Sequence, residues 1–309
     1  MQVPFGEWLP DQPEHNNPGA NVANNVYYAL NSYKRFPSLV NYSTNALPKD
    51  SRGAGSFRDN TNTVFNFVAT QDTIYALTGG AFSELGAGGL LLSTAKASCT
   101  ITVSDYANIA TGKTITLSKN DASDYITFTQ FGNYVIASNG IDAPQYYLMG
   151  TSSVFANLSA IKTSGTVPTF KVSGVVRDFL VTGNDLTAAN KIQWSGINDI
   201  ATWEAGTKQS DSQDLPGSGG QITHITSGEI SYVFRQNSII RMDYVGGATV
   251  FRLSMISPNR GAVLGRTVCQ DNRRVFFYAD DGFFEINGDT VKAIGAEKVN
   301  RFFDINLNK

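Results

Sequence analysis

The side chains that most often bind metals or act as nucleophiles are sparse in this chain. Its two histidines, His15 and His224, and its two cysteines, Cys99 and Cys269, are far apart in the sequence. None of them belongs to a C-x-x-C pair or stands beside acidic residues at metal-ligand spacing. We expect His224, within Ile-Thr-His-Ile-Thr, to be a structural residue of a strand, and both thiols to be buried.

Three further motifs resemble catalytic or ligand-binding loops. Asp280-Asp281-Gly282 lies between two apolar runs, which is typical of a hairpin turn because both central residues tolerate positive φ. Gly86-Ala-Gly-Gly and Gly217-Ser-Gly-Gly do not complete a nucleotide-binding pattern, and neither opens a helix. We therefore predict turns at all three, no enzyme activity, and no catalytic, cofactor-binding or metal-binding residues. The sequence does not exclude a glycosidase in which two carboxylates far apart in the chain act as a pair.

Two tryptophans and one arginine are the remaining candidates. Trp194 and Trp203 flank the turn Ser195-Gly-Ile-Asn-Asp, and we expect them to pack between structural repeats. The functional alternative is a surface on which a sugar or another subunit stacks. Arg241, in Arg-Met-Asp-Tyr, is expected to form a structural ion pair with Asp243 or with a carboxylate of a neighbouring repeat.

The elements that hold these residues recur along the chain. Five times a short apolar and aromatic run meets a tight polar turn and a second run, and the equivalent positions are spaced 68, 44, 54 and 43 residues apart. The four-stranded blade of a β-propeller needs about 40–50 residues. The pattern predicts an all-β, propeller-like array of about five to six antiparallel four-stranded blades. The equivalent positions are Phe67, Val135, Phe179, Val233 and Phe276.

The composition excludes several functional classes. Charged residues make up 16% of the chain, aromatic residues make up 11%, and the net charge is −2. No stretch is strongly basic, so a tight nucleic-acid groove is disfavoured. No secretory signal or membrane-spanning run is present, and we expect a protein that is made in the cytoplasm.

The pattern divides the chain into parts of different character. Residues 1–52 hold six of the ten prolines and are predicted to form an irregular arm. Residues 53–309 form the propeller-like domain, with a small β insertion at 86–127 that lengthens the first spacing. We expect a short helix at 25–33 and a second at 296–303, which would cap the last blade. Either the arm or further chain would close the ring.

Several segments, taken in order, resemble a phage family of tail proteins, similar to the nozzle or tail tubular proteins of short-tailed phages. The resemblance covers most of residues 1–85 and 126–305, and it is specific as an ordered set. The segments are Trp8-Leu-Pro-Asp, Arg52-Gly-Ala-Gly-Ser-Phe, Gln130-Phe-Gly-Asn-Tyr-Val-Ile-Ala-Ser-Asn-Gly, Arg177-Asp-Phe-Leu-Val, Gln193-Trp-Ser-Gly-Ile-Asn-Asp, Ile239-Ile-Arg-Met-Asp-Tyr-Val-Gly, Asp281-Gly-Phe-Phe and Ile294-Gly-Ala-Glu-Lys-Val.

The resemblance implies a virion structural protein with a propeller-like core. Six copies would form a ring below the tail adaptor, around the path along which DNA is ejected. Its expected partners are further copies of the chain, the adaptor or other tail proteins, the host surface and DNA in transit. We expect Trp8 and Phe36 in the arm to grip a neighbouring subunit.

Two other functions compete with this one. The first is a propeller that binds a receptor or glycan, whose expected sign is an aromatic pair repeated at one blade position. Tryptophan occurs in only one repeat, which argues against such a repeated sugar site. The second is a tail-associated glycanase, and the chain carries no sialidase box to support it.

Overall fold

Almost all regular secondary structure in this protein is β-strand. The computed structural model describes residues 6–29, 32–70, 73–85, 99–103, 113–117, 125–271 and 273–306. Two predicted turns, at Gln71-Asp72 and Gly86-Ala-Gly-Gly, and most of the predicted insertion lie outside these residues.

The arm contains a 3₁₀ helix, Glu14–Asn16, and a hairpin formed by β1 (Val26–Ala29) and β2 (Ser32–Arg35). The helix predicted at 25–33 is therefore wrong. The physical reason is local, because valine and tyrosine at 26–28 favour a pleated strand over a helix.

Five four-stranded antiparallel sheets follow the arm, and we call them blades one to five. Blade one consists of β3 (Gly53–Arg58), β4 (Val64–Ala69), β5 (Ile74–Thr78) and β6 (Ala81–Glu84). A separate hairpin, β7 (Cys99–Val103) with β8 (Lys113–Leu117), comes next. Blade two consists of β9 (Thr127–Phe131), β10 (Tyr134–Ser138), β11 (Gln145–Leu148) and β12 (Ala156–Asn157).

The remaining three blades complete the described sheets. After a 3₁₀ helix, Leu158–Ile161, and the short β13 (Ser164–Gly165), blade three begins with β14 (Phe170–Val176), β15 (Phe179–Asp185) and β16 (Lys191–Trp194). The chain continues through β17 (Thr202–Trp203), the 3₁₀ helix Thr207–Gln209 and the last strand of blade three, β18 (Asp211–Asp214). Blade four consists of β19 (Ile222–Ile225), β20 (Ile230–Arg235), β21 (Ile239–Gly246) and β22 (Val250–Ser257). After a 3₁₀ helix, Gly265–Thr267, blade five consists of β23 (Cys269–Asp271), β24 (Arg274–Ala279), β25 (Gly282–Asn287) and β26 (Thr290–Ala293).

Strands that follow one another in sequence are neighbours within each blade. Blade three is the variation: β17 leaves the sheet to pair in parallel with β13, and β18 takes the fourth position beside β16. The third blade therefore ends at Asp214. The structure confirms the all-β, propeller-like array of four-stranded blades, with five blades in the part of the chain that it describes.

The core lies between blades rather than within one central sandwich. Alternating side chains along a strand face opposite sides of a blade, as the regular burial pattern of β14 shows. Four apolar clusters join consecutive blades, each represented by one residue: Phe67 between blades one and two, Trp203 between two and three, Phe251 between three and four, and Phe277 between four and five. Each blade therefore buries its apolar face only by stacking on its neighbour.

An α-helix, α1 (Asn300–Asn306), covers the face of blade five that points away from blade four. The Phe303 ring meets the Phe283 ring of β25 edge to face, with 4.9 Å between centroids. This confirms the predicted capping helix. It begins four residues later than predicted because Glu297 has a positive φ of 58°, which a right-handed helix does not allow.

The predicted division into domains stays a prediction. Blade one begins at Gly53, the boundary proposed between the arm (1–52) and the propeller-like domain (53–309). The β7–β8 hairpin lies within the proposed insertion, 86–127.

Candidate functional site

The first strands of blades one to four meet around a cavity of about 450 Å³. Hydrogen bonds show that neighbouring first strands run in the same direction. Thr127 Oγ1 of β9 donates to the Lys171 carbonyl of β14 at 2.8 Å, and two residues on Thr129 Oγ1 donates to the Ser173 carbonyl at 3.2 Å. The cavity is therefore lined by one strand from each of several blades. We call it the axial cavity.

Close packing of the first strands depends on glycine at two positions. A Cβ added at Gly53 would overlap the carbonyl oxygen of Ile126, and a Cβ at Gly174 would lie 2.8 Å from the carbonyl oxygen of Ile225. Real Cβ atoms do not approach backbone so closely, so a larger residue at either position would push neighbouring blades apart.

One mouth of the axial cavity carries cationic side chains around an aromatic ring. The Arg266 guanidinium lies 3.4 Å from the centroid of the Tyr125 ring, and the Lys171 ammonium lies 5.2 Å from it. Arg52, which immediately precedes β3, lines the same cavity. These residues were not predicted as a group, because they come from separate repeats. A signal does exist in the sequence: they stand near the start of β14, β3 and β23, and parallel first strands bring their starting ends together.

His224 lies on the wall of the axial cavity and is half-buried. Its ring meets the Phe234 ring edge to face at 6.3 Å, and burial lowers the pKa of His224 to about 4. The imidazole is therefore neutral at physiological pH. This agrees with the structural role predicted for His224.

Acid is expected to destabilise the protein partly through His224. Between about pH 6.5 and about pH 4 the unfolded chain binds a proton that the folded chain does not, so the free energy of unfolding falls as pH falls across this window. The loss is on the order of 2–3 kcal/mol. His224→Gln removes it, so the variant should lose less stability than the wild type between about pH 7 and about pH 4.5 in urea denaturation.

The matched control for this prediction is His15→Gln, because His15 is exposed in the arm. We expect His15→Gln to follow the wild-type curve of stability against pH. Parallel curves for His224→Gln and the wild type would show that His224 does not contribute.

Asp280-Asp281-Gly282 forms the predicted tight turn between β24 and β25. Asp281 is held by Arg260, whose Nε donates to Oδ1 at 3.0 Å and whose Nη2 donates to Oδ2 at 2.5 Å. These hydrogen bonds keep the pKa of Asp281 below its usual range. Arg260 also stacks on Phe284 at 4.2 Å, so the pair fastens the segment between blades four and five, which carries Arg260, to blade five.

Both candidate tryptophans pack between blades, as predicted. Trp194 belongs to the cluster between blades three and four, Trp203 to the cluster between blades two and three, and each is at most 3% exposed. Their indole nitrogens donate to the backbone, Trp194 to Gln209 O and Trp203 to Ile200 O, both at 2.7 Å. Neither ring offers a face on which a sugar or a subunit could stack.

Arg241 forms the predicted ion pair with Asp243, at 2.8 Å, and a second with Asp289 of blade five, at 2.7 Å. Hydrogen bonds to Asp289 and Asp243 raise the pKa of Arg241 above its usual value. The network therefore links the outer part of blade four to blade five.

Trp8 does not stand free as the predicted anchor to a neighbouring subunit. Its ring contacts Phe302 and Phe303 of α1 at centroid distances of 5.1 and 6.5 Å. Asp11 receives hydrogen bonds from the backbone nitrogens of Arg301 and Phe302 at 2.8 Å each, and so caps the start of α1. The beginning of the arm thus packs on the chain's own C-terminal helix, a partner too distant in sequence to be foreseen.

Phe36, in contrast, begins an exposed apolar segment, residues 36–42. Its backbone nitrogen is bonded to Asn25 O, and Thr44 N is bonded to Gly80 O on blade one, so both ends are anchored. Between the anchors the side chains face solvent: Phe36 is 52% exposed, Leu39 91%, Val40 85% and Tyr42 69%.

The cysteines and the second glycine-rich motif complete the set of residues considered in the sequence. Cys269 is exposed, which corrects the prediction that it is buried, because it begins the edge strand β23. The Cys99 side chain lies outside the described residues. Gly217 lies in a turn with a φ of 75°, as predicted. In the described ranges, no cluster of three histidine, cysteine, aspartate or glutamate side chains is placed to hold a metal ion.

None of the helices in the described part of the chain combines the length and apolar character needed to span a bilayer.

Comparison with known proteins finds likeness at the level of structure alone. No protein-family model and no curated protein matches the chain. One similar solved structure is the extracellular domain of a protein described as a hybrid two-component system from B. thetaiotaomicron, with 12% identity, a TM-score of 0.48 and coverage of 82% of this chain and 28% of that one. A protein described as TolB from Agrobacterium tumefaciens is 11% identical, with a TM-score of 0.43 and coverage of 80% of each chain. The WD40 domain of Pan2 from Neurospora crassa is 8% identical, with a TM-score of 0.40 and coverage of 79% of this chain and 65% of that one.

Proposed function

We propose that this chain is a phage virion structural protein, and that several copies form the ring of a tail nozzle or tube through which DNA is ejected into the host. The ordered sequence segments that resemble short-tailed phage tail proteins support this proposal. The stacked blades suit it physically, because each one is tied to the next by a continuous apolar cluster. In this proposal the chain is a rigid wall element and not an enzyme.

The observation that carries the proposal is the exposed apolar segment, residues 36–42. Leaving Phe36, Leu39 and Val40 in water is unfavourable, and burying each fully would contribute about 1.5–3 kcal/mol. The segment is anchored at both ends to its own chain, so its exposed side chains are held at a defined place on the surface. The occupant we assign to it is a second copy of this chain, as a ring of identical subunits requires.

The charge of the chain suits a conduit for DNA. Each phosphate that a protein neutralises adds affinity, so a channel wall with a strongly basic surface would hold DNA and slow its passage. The net charge of −2 gives no such attraction. The partners proposed with the ring are the tail adaptor or other tail proteins, the host surface and DNA in transit, and the place of action is the phage tail.

Replacing Phe36, Leu39 and Val40 together by serine is expected to dissociate the oligomer. The three changes remove the apolar surface of the segment, and the dissociation constant should rise by at least about 100-fold. Sedimentation velocity over a range of protein concentrations measures the change. Leu186→Ser is the matched control, because Leu186 is 67% exposed but lies on blade three.

Electron microscopy tests the ring itself. Purified protein or intact virions should show a ring at the tail tip, and antibodies against the chain should label that tip. A strictly monomeric protein, together with labelling on the capsid, would overturn the proposed function.

A further inference from the structure

We propose that the axial cavity is a binding site for a small phosphate-bearing molecule. Arg52, Tyr125 and Arg266 line the cavity at the end where the first strands begin, and the Lys171 ammonium lies 5.2 Å from the centroid of the Tyr125 ring. Nothing in the proposed ring function requires such a site, so the two proposals stand independently.

The first support is charge without compensation. Arg52 and Arg266 line one cavity, Lys171 lies beside the Tyr125 ring, and no salt bridge joins any of the three to a carboxylate in the part of the chain that the structure describes. By comparison, Arg241, Arg260 and Arg274 each pair with at least one aspartate or glutamate. Cationic side chains around one cavity repel each other, and an anion bound in that cavity would relieve the repulsion.

The second support is the chemistry of the wall. The described residues that line the cavity include arginine, histidine, serine and threonine, but neither aspartate nor glutamate. Thr129 Oγ1 and Ser173 Oγ lie 2.8 Å apart on adjacent first strands and supply hydroxyl groups to the wall. Arginine forks and hydroxyl donors are the groups that proteins use to bind phosphate oxygens.

The third support is the size of the cavity and the fixed orientation of the Arg266 side chain. A volume of about 450 Å³ is in the range of small-molecule sites and could contain a phosphate with an attached group. Tyr125 holds the Arg266 guanidinium against its ring, which orients that side chain before a ligand arrives. Two arginines in the cavity wall, with Lys171 beside the Tyr125 ring, fit the double charge of a phosphate better than the single charge of a carboxylate, so we assign phosphate as the recognised group.

Inorganic phosphate is the probe that tests this site. Isothermal titration calorimetry of the full chain, with sodium phosphate added into buffer of matched ionic strength, should show saturable binding with a stoichiometry of one. Acetate at the same concentrations should bind at least about tenfold more weakly, since it offers fewer acceptor oxygens and half the charge. Equal binding of the two anions would reassign the site to carboxylates and overturn the phosphate assignment.

Variants connect the binding to the named residues. Arg52→Gln and Arg266→Gln should each weaken phosphate binding by at least about tenfold, because each removes a charge-assisted hydrogen bond. Arg58→Gln is the matched control: Arg58 is exposed at the opposite end of the same strand, β3, and its loss should change the affinity less than about twofold. Arg266 is exposed in the 3₁₀ helix Gly265–Thr267, so its replacement should leave the fold intact; circular dichroism checks this, and Lys171→Gln provides a third variant.

The proposal is overturned if wild-type protein shows no saturable phosphate binding, or if it binds phosphate with the same affinity as the Arg52, Arg266 and Lys171 variants. Neither result would bear on the ring, since ring assembly is measured separately by sedimentation and microscopy.

Discussion

Arg235→Ala is expected to lower the free energy of unfolding by about 3–5 kcal/mol. Arg235 is only 1% exposed, and its guanidinium makes four hydrogen bonds. Nε donates to Ser238 Oγ at 2.7 Å, Nη1 donates to Asn190 Oδ1 and Gly217 O at 3.0 and 3.1 Å, and Nη2 donates to Pro216 O at 2.8 Å. Truncation would leave these acceptors without their donors and open a cavity in place of the side chain.

Arg235 joins two blades, so its replacement should destabilise the contact between them as well as its own strand. Arg235 ends β20 of blade four, whereas Asn190 precedes β16 of blade three, and residues 216–217 lie in the loop between the two blades. Burial lowers the pKa of Arg235, but an arginine stays charged at any pH at which the protein is folded. The hydrogen bonds to neutral oxygens therefore hold a charge that would otherwise be costly to bury.

Chemical denaturation followed by tryptophan fluorescence measures this effect. Arg235→Lys keeps the charge but loses the planar fork, so it should also destabilise the protein, though less than alanine does. Arg252→Ala is the control, because Arg252 is largely exposed and reaches Asp243 only at 3.5 Å. A surface pair of this kind should change the stability by no more than about 0.5 kcal/mol. If Arg235→Ala were as mild as the control, the hydrogen bonds would not be what joins the two blades.

The blades could be predicted from sequence because their signal is local. A run such as Val275-Phe-Phe-Tyr, then Asp280-Asp281-Gly282, then Phe283-Phe-Glu-Ile carries both the strand period of two and the turn residues within one short window. The same locality explains the pairing of Arg241 with Asp243, which lie on one face of β21, two residues apart. Repetition of that window then indicates a propeller-like array.

The remaining features depend on contacts between distant segments. The sequence favours a neighbouring subunit as the partner of Trp8 because nothing near Trp8 in sequence indicates α1, almost 300 residues away. The cationic residues Arg52, Lys171 and Arg266 form a group only because parallel first strands bring their starting ends together. The hairpin at 26–35 differs from the predicted helix for a local reason: periodicity over so short an apolar stretch does not separate helix from strand, and the valine and tyrosine side chains favour the strand.

Phe67→Ala should be the most damaging single change in the first half of the chain, with an expected loss of about 3–5 kcal/mol. The Phe67 ring is 1% exposed and stands at the centre of an aromatic cluster between blades one and two. Its centroid lies 5.1 Å from Tyr147 and 5.3 Å from Phe155, both in edge-to-face geometry, and 6.0 Å from Phe57. Truncation removes all of these contacts at once and leaves a cavity that rigid strands cannot close.

Because each blade buries its apolar face on its neighbour, the loss should weaken the link between blades one and two more than the distant blades. Hydrogen exchange followed by mass spectrometry should therefore show faster exchange across residues 53–84 and 127–157, and little change across 269–293. Val64→Ala is the matched control, because Val64 begins the same strand, β4, but is 44% exposed. Exchange that rises equally in all five blades would mean that the chain unfolds as one unit, and the picture of blades held together pair by pair would have to be abandoned.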